Sequence, residues 1–298
     1  TLVVHVSIIL PFPTIHSWWF MAIAKRPTRT TATFGSPLPS PREGVKYSLD
    51  EAKNRYERFF KHFGVSLRTT SGGEQFQGDC PFPDCQKPEG HFYVSVSRGQ
   101  WDCKFCGLNG NIYTFMSQLL NQYHRRMSDA DYKWLTKKRP GIDVEAFKRF
   151  HISRFGPSSV LLPARATPTG AKRSETGLLN MPIWREISND DGTVSMRVMN
   201  PPIVASSLFG LQFWKPRLPT YICEGQWDVL ALFSLFLKIP GKEVATLAGE
   251  CNILGVPGSS FPSQHLSLLS GVDVYILFDN DAAGLTGQDK LISVISHE

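Results

Sequence analysis

The chain has 298 residues, which corresponds to about two domains of ordinary size. Its hydrophobic fraction of 42% and charged fraction of 19% are typical of globular proteins. The net charge of +6 is compatible with a polyanionic partner but does not require one. Six cysteines are too few for a disulfide scaffold of this length, which excludes a secreted disulfide framework and indicates a reducing, intracellular compartment.

The N-terminal segment carries no predicted domain. Leu2 to Leu10 form an apolar run that is too short to cross a bilayer, so we predict no membrane association. No basic segment precedes this run, although Ala22-Ile23-Ala24 resembles a cleavage site and leaves export as an alternative. We predict that residues 1–46 are a disordered or mistranslated basic tail, with Met21 as the expected start.

Residues 47–127 are predicted to form one domain with flanking helices. A helix should begin at Ser48, because Glu51 three residues later completes a capping box, and Gly64 can end it. From Glu74 to Gly107 the pattern changes to short β-like runs separated by Gly and Pro. A second helix is predicted from about Asn111.

Residues 128–218 are predicted to contain short helices, a linker and a hairpin. Helical turns are expected after Ser128 and over Val144 to Phe150. The stretch from Phe155 to Thr176 is interpreted as a linker or a mobile basic loop. Strands are expected at Leu178 to Trp184 and at Val194 to Met199.

Residues 219–298 alternate between strands and helices, which predicts a parallel sheet covered by helices. The chain ends inside a predicted helix. The expected elements in order are strand Thr220–Cys223, helix Gln226–Lys238, strand Ile253–Val256, helix Ser263–Leu269 and strand Val274–Phe278.

Four of the cysteines form two close pairs. Cys80 and Cys85 are separated by four residues, and Cys103 and Cys106 by two. Zinc binds four thiolates in a tetrahedron, and two tight turns can each supply two of them. We therefore predict one structural zinc ion in a β ribbon, with four free thiols or two disulfides as the alternative. His91 could replace a ligand, but a surface or base-contacting role fits better.

Basic and aromatic residues accompany these cysteines in the predicted hairpin. Arg98 and Lys104 can neutralise phosphates, while Trp101 and Phe105 can stack on single-stranded bases. These residues are candidates for nucleic-acid binding. The alternative is that the two rings pack the small core of the ribbon.

Acidic residues follow two of the predicted strands. Glu224 ends the first strand, with Asp228 in the first turn of the next helix, and Asp279 and Asp281 follow the last strand. Because the carboxyl ends of parallel strands share one edge, Glu224, Asp279 and Asp281 should converge. Such carboxylates repel one another, and one or two Mg²⁺ ions would neutralise them while binding substrate phosphates.

These motifs resemble those of bacterial- and phage-type DNA primases and primase–helicases, including Twinkle-like proteins. The cysteine pairs with Pro81-Phe82 and Asn109-Gly110-Asn111 resemble the primase zinc domain. Glu224-Gly225-x-x-Asp228 and Asp279-x-Asp281-x-x-Gly284 are similar to the motifs of the magnesium-binding TOPRIM fold. Arg197 and the segment from Leu208 to Trp214 resemble the bridging polymerase segment.

The resemblance implies an α+β multidomain fold: an N-terminal β zinc ribbon, a mixed α/β bridging segment and an incomplete C-terminal α/β TOPRIM parallel sheet. It also implies cytoplasmic synthesis of short RNA primers on single-stranded DNA, from ribonucleoside triphosphates, beside a fused or separate replicative helicase, in a bacterial or phage-infected cell. Glu224, Asp279 and Asp281 would be catalytic and hold magnesium, with Asp228 supporting them. Arg197, and with less support Arg165, Lys172 and Arg173, would contact phosphates, although an ordinary solvated loop is the alternative for the last three.

Two other functions stay open. The first is a non-catalytic zinc and TOPRIM nucleic-acid-binding module of a replicative helicase, and the intact cysteines and carboxylates argue against it. The second is a TOPRIM nuclease or recombination mediator. The chain contains no Walker loop, so no helicase motor is predicted within it, and the activity of the incomplete TOPRIM domain alone is in doubt.

Overall fold

A computed structural model describes residues 4–6, 49–165, 178–239, 250–258 and 261–296, and every structural statement below concerns these residues. Most of the predicted N-terminal tail lies outside them, as do Lys172 and Arg173. No helix in the described ranges is both long and apolar enough to cross a membrane.

The segment predicted as a zinc ribbon, called the zinc ribbon below, is a five-stranded antiparallel sheet in which each strand pairs with the next one along the chain. Its strands are β2 (Leu67–Thr69), β3 (Gln75–Gly78), β4 (Phe92–Ser95), β5 (Trp101–Cys103) and β6 (Asn109–Gly110). Two 14-residue helices flank this sheet, namely α1 (Leu49–His62) and α2 (Ile112–Arg125). The predicted helices and β runs of this segment are confirmed.

Phenylalanine rings hold the two helices against the ribbon. Phe59, Phe60 and Phe115 are fully buried, as is Phe92 of β4. The Phe60 and Phe115 ring centroids lie 4.9 Å apart in an edge-to-face arrangement, and such pairs contribute about 0.5–1.5 kcal/mol beyond burial of their area. A sheet with strands of two to four residues cannot form a core alone, so this aromatic cluster supplies it.

Capped helices lead from the ribbon into the rest of the chain. The α3 helix (Asp129–Lys138) starts in a capping box in which Ser128 and Asp131 bond each other's backbone N–H groups, as the sequence predicts. The α4 helix (Val144–Arg149) is capped by Asp143. These caps satisfy N–H groups that a helix cannot satisfy internally.

The prediction of a linker from Phe155 was wrong as far as Arg165. This stretch forms strands that belong to a four-stranded antiparallel sheet and a separate strand pair. The sheet consists of β7 (Ser153–Phe155), β8 (Ser159–Leu161), β11 (Ile183–Ser188) and β12 (Val194–Met199), and the pair of β9 (Ala164–Arg165) and β10 (Leu178–Asn180). The run from Val160 to Leu162 is fully buried, so its apolar character outweighs the surrounding Pro and Ser residues.

The parallel sheet predicted near the C-terminus is present. Its strands are β1 (Val4–Val6), β13 (Thr220–Cys223), β14 (Asn252–Gly255) and β15 (Val274–Leu277), in the order β1-β15-β13-β14. The helices of this region are α5 (Gln226–Leu237) and α6 (Ala282–Ser296). Ser263–Leu269 is a 3-10 helix. The strand β1, which the sequence analysis placed in the tail, pairs with β15 from Val4 to Val6.

The four-stranded sheet of β7, β8, β11 and β12, called the middle sheet below, provides an arginine that forms a hydrogen bond with the end of α1. Arg185 of β11 donates from Nη2 to the carbonyl oxygen of His62 at 2.5 Å, and the same nitrogen lies 3.3 Å from His62 Nδ1. His62 is buried, and burial first, then the Arg185 charge, lowers its pKa from 6.5 to about 3. The zinc ribbon is therefore tied to the middle sheet through a neutral histidine.

Candidate zinc centre and acidic strand edge

The four cysteines predicted as zinc ligands come together. Their sulfur atoms all lie within 4.8 Å of one another, with 4.0 Å between the Sγ atoms of Cys80 and Cys106 and 3.9 Å between those of Cys85 and Cys103. A tetrahedral ion with Zn–S bonds of about 2.3 Å requires sulfur separations of roughly 3.8 Å. The cluster therefore fits zinc, and the disulfide alternative is not borne out because all four cysteines are free.

Two turns position these sulfurs. The backbone N–H of Cys85 donates to the carbonyl of Phe82, which closes the first turn. In the second turn, the N–H of Cys106 donates to the sulfur of Cys103 at 3.5 Å. Although burial acts to raise the pKa of the Cys103 thiol, backbone hydrogen bonds from Cys106 and Phe105 bring that pKa below its usual value. Burial raises the pKa of the Cys80 and Cys106 thiols, so within this cluster the N–H donors favour the thiolate form at Cys103.

The two aromatic rings that were both candidates for stacking on bases, Trp101 and Phe105, lie in different environments. Trp101 is buried, stacks on Phe92 and donates from its indole nitrogen to the carbonyl of Asn111 at 2.7 Å. The prediction that Trp101 binds nucleic acid is therefore contradicted, and the alternative of core packing holds for it. Phe105 is 45% exposed and belongs to the surface of the ribbon.

A lysine and a histidine lie near the ring of Phe105, and two further exposed cations, Lys104 and Arg98, lie elsewhere on the ribbon. Lys87 Nζ is 5.9 Å from its ring centroid, and the His91 ring is 6.0 Å away. Lys104 is exposed and pairs with Asp102 at 2.6 Å, while Arg98 is exposed in the turn after β4. Phe105 and Lys87 are better placed for a single strand than Trp101, but sequence alone could not distinguish the two rings.

The acidic residues lie at one edge of the parallel sheet. Cys223 pairs with Leu277 across β13 and β15, so Glu224 and Asp279 both follow the carboxyl ends of neighbouring strands. The backbone N–H of Asp279 donates to Glu224 Oε2 at 2.9 Å. This bond brings together two motifs that are 55 residues apart in the sequence.

The charges at this edge repel one another. The pKa of Glu224 is raised first by burial and then by Asp279, Asp281 and Asp228. The Asp228 side chain reaches the surface, but protein surrounds most of it. The resulting loss of hydration raises its pKa, and the charge of Asp279 raises it further. Among the described residues, only the cysteines have three or more possible ligand atoms within 4.8 Å, so these carboxylates are more widely spaced.

The helix α6 starts directly on this edge. Asp281 Oδ1 accepts from the N–H of Gly284 at 2.8 Å, which caps the helix. A Cβ at Gly284 would lie 2.1 Å from the carbonyl oxygen of Asp279, closer than real atoms approach. The glycine of the Asp-x-Asp-x-x-Gly motif therefore allows the helix to approach the acidic loop.

Arg139 is a residue of this region that the sequence analysis missed. Its guanidinium lies 4.7 Å and 4.6 Å from the ring centroids of Trp184 and Trp227. Burial lowers the pKa of Arg139, and the charge of Asp228 opposes this change. Arg139 is thus a cation beside the acidic edge, and no sequence pattern marks it because its partners lie in two distant elements, β11 and α5.

Two predicted phosphate contacts have different surroundings. Arg197 is exposed on β12 and bonds Asn189 and Ser195 of its own hairpin, so nothing described connects it with the acidic edge. Arg165, at the end of β9, is only partly exposed, and burial lowers its pKa. It therefore does not belong to an ordinary solvated loop.

A four-cysteine ribbon joined to a mixed α/β region with a parallel sheet is similar to solved primase structures. The chain resembles the zinc-binding and RNA polymerase domains of the Aquifex aeolicus primase, with 19% identity, a TM-score of 0.39, and 83% of this chain and 76% of the other covered. It also resembles the primase fragment of the bacteriophage T7 primase–helicase, with 15% identity, a TM-score of 0.36, and coverage of 71% and 84%.

No family model matches the sequence, and no curated protein does. Because identity is 19% or lower for both structures, the chemistry of the site has to be argued from this chain's own residues.

Proposed function

We propose that this chain is the primase part of a DNA primase or primase–helicase, which synthesises short RNA primers on single-stranded DNA from ribonucleoside triphosphates during replication. The observation that carries the proposal is the hydrogen bond from the Asp279 N–H to Glu224 Oε2, because it joins the two acidic motifs at the edge where α/β sheets bind ligands. A replicative helicase, fused or separate, is the expected partner.

The acidic edge suits a divalent metal. Glu224, Asp279 and Asp281 would hold Mg²⁺, and Asp228 would support them beside the Arg139 cation. Bound magnesium would neutralise triphosphate charge and help to ionise the attacking hydroxyl. Burial is the main cause of the raised pKa of Glu224 and of Asp228, and the charge of Asp279 adds to it. A cation bound at this edge would offset both effects, which supports the assignment.

The exposed face of the ribbon is the proposed contact for the template. Phe105 can stack on a base, and Lys104, Lys87 and Arg98 can neutralise phosphates. This division assigns template binding to the zinc ribbon and nucleotide transfer to the acidic edge. Arg197 is proposed as a further phosphate contact.

The test is primer synthesis by the double variant Asp279→Asn with Asp281→Asn. Asparagine can keep the cap of α6 while it removes both charges. The matched control is Asp273→Asn, an exposed acid just before β15, at the opposite end of the same strand. We expect magnesium-dependent incorporation of ribonucleotides on single-stranded DNA to be lost only in the double variant, with DNA binding retained.

Two outcomes would reject the catalytic assignment. Equal synthesis by the double variant and the unaltered chain would remove the acidic edge from the reaction. If the complete protein binds single-stranded DNA through its ribbon but incorporates no nucleotide with magnesium, the non-catalytic helicase module becomes the better explanation.

A further inference from the structure

A basic pocket lies where α2 of the zinc ribbon meets the middle of the chain. Its volume is about 400 Å³, which suits a small polar ligand. It is lined by Gln118, Asn121, His124 and Arg125 of α2, by His151 and by Arg165. None of these residues belongs to the zinc centre or to the acidic edge.

The lining contains cations and neutral donors but no acidic residue. The pKa of His124 is lowered first by burial and then by the charge of Arg165. Burial likewise lowers the pKa of His151 to about 4, with further contributions from His124 and Arg165. Both shifts favour neutral imidazoles, so the positive charge of the pocket comes from Arg125 and Arg165.

Hydrogen bonds hold one of the two histidine rings in a defined orientation. Their ring centroids are 4.8 Å apart, and His124 Nδ1 lies 3.1 Å from Ser153 Oγ. Ser153 donates its only hydroxyl hydrogen to the carbonyl of His151 at 3.1 Å, so His124 Nδ1 must carry a proton and donate to Ser153. The ring of His124 is therefore held before any ligand arrives.

The backbone at His151 supports a role for its side chain. His151 follows α4 with φ of 54°, in the left-handed region where a helix usually ends with glycine. A residue with a Cβ is disfavoured there. The imidazole beside the pocket gives a reason for histidine at this position, because glycine would provide no ligand.

Arg125 connects the pocket with the zinc loop. Its Nη2 lies 2.6 Å from Asp84 Oδ2, and Asp84 directly precedes the zinc ligand Cys85. Arg126 pairs with the same carboxylate at 2.9 Å but does not line the pocket. Arg125 and Arg126 therefore share a partner, but only Arg125 lines the pocket, which makes Arg126 a suitable control position.

The geometry points to a phosphate-binding site in this pocket, which takes either the phosphates of a nucleoside triphosphate or one backbone phosphate of a nucleic acid. The guanidinium groups of Arg125 and Arg165 and the side-chain amides of Gln118 and Asn121 together offer several donors to one tetrahedral oxyanion. The inference does not require that the chain synthesises primers. It adds a second phosphate site, beside the zinc ribbon, to the one proposed at the acidic edge.

The experiment compares Arg165→Gln with the control Arg126→Gln in the full, zinc-loaded chain. Each variant removes one positive charge, but only the first removes a pocket residue. Binding of ATP and of a labelled oligothymidylate of about twelve nucleotides is titrated without magnesium, so that the acidic edge does not contribute. We expect Arg165→Gln to weaken binding of at least one probe about tenfold, the loss of one charge-assisted hydrogen bond, with a much smaller effect of Arg126→Gln.

The two probes distinguish the sources of phosphate. A loss confined to ATP assigns the pocket to a nucleotide, and a loss confined to the oligonucleotide assigns it to the backbone. If Arg165→Gln does not fold, as judged by zinc content and circular dichroism, Arg125→Gln serves instead with the same expected direction, because Arg125 lines the pocket and Arg126 does not, although both pair with Asp84. Equal weakening by pocket and control variants, or no saturable binding of either probe, would overturn the inference. Neither result depends on primer synthesis.

Discussion

At the scale of single residues, the zinc ribbon separates side chains that hold the fold from side chains that face solvent. Trp101 and Phe105 are four positions apart in the same hairpin, yet one is buried and the other is 45% exposed. The sulfurs around them form the only cluster of possible metal ligands among the described residues. The consequences of changing each residue should therefore differ sharply.

For the metal, Cys103→Ser should release zinc. A serine hydroxyl does not ionise at neutral pH and is a poor zinc ligand, so the tetrahedron loses one of its four corners. Zinc content measured by atomic absorption should fall from about one per chain to near zero, and template-directed initiation should weaken. Cys251→Ala is the control, because Cys251 lies outside the cluster. Unchanged zinc in Cys103→Ser would contradict the ligand assignment.

For the rings, Trp101→Ala should destabilise the chain by about 3–5 kcal/mol, because a buried aromatic side chain is lost from the core. Phe105→Ala should change the free energy of unfolding by about 0.5 kcal/mol or less but weaken single-strand binding by about 1–3 kcal/mol, as expected for a lost stacking ring. Urea unfolding and fluorescence anisotropy measure the two effects. If Phe105→Ala bound DNA normally, the proposed template contact would be elsewhere.

At the scale of elements, the acidic edge depends on how α6 approaches the end of β15. Asp281 directly precedes the first residue of α6, and Asp279 lies just before it in the same short segment. The helix can approach the backbone of Asp279 closely because residue 284 has no side chain. The position of this helix therefore depends on a close contact between Gly284 and the Asp279 backbone.

Gly284→Ala provides a test with an unusual sign. Inside a helix this exchange ordinarily stabilises by about 1 kcal/mol. Here the new Cβ would collide with the Asp279 carbonyl, so we expect a lower melting temperature and reduced primer synthesis together. A stabilised and fully active variant would show that the helix does not restrain the acidic loop.

At the scale of the whole molecule, the zinc ribbon and the middle sheet are tied by the contact between His62 and Arg185. The folded chain holds His62 neutral because its pKa is about 3, whereas the unfolded chain binds a proton below about 6.5. The unfolded state therefore binds more protons between these pH values. The contribution of His62 to stability is complete above pH 6.5 and is lost as the pH falls toward 3.

We therefore expect the free energy of unfolding to decrease with falling pH between about 6.5 and 4 less steeply in His62→Gln than in the unaltered chain. Protons also displace zinc from thiolates in acid, and the comparison of the two proteins removes that shared effect. Denaturant titrations at several pH values provide the measurement. Parallel pH profiles would count against a buried neutral histidine.

The sequence by itself determined which four cysteines cluster, most helix boundaries and the strands that precede the acids. These features depend on local spacing, as with the two cysteine pairs, the Ser128 cap and the strand from Thr220 to Cys223. Local patterns can be read from the chain because their physical causes act within a few residues. The roles of the acidic residues stay predictions.

Only the tertiary structure decided which contacts form between distant segments. In the tertiary structure Trp101 is buried, the short strand at Val4 pairs with β15, part of the predicted linker forms strands, and Arg139 lies against two tryptophans that contact each other. The tertiary structure also assembled the basic pocket around Arg165 from three elements. Burial and electrostatic environment depend on neighbours that are remote in sequence, and no local pattern records them.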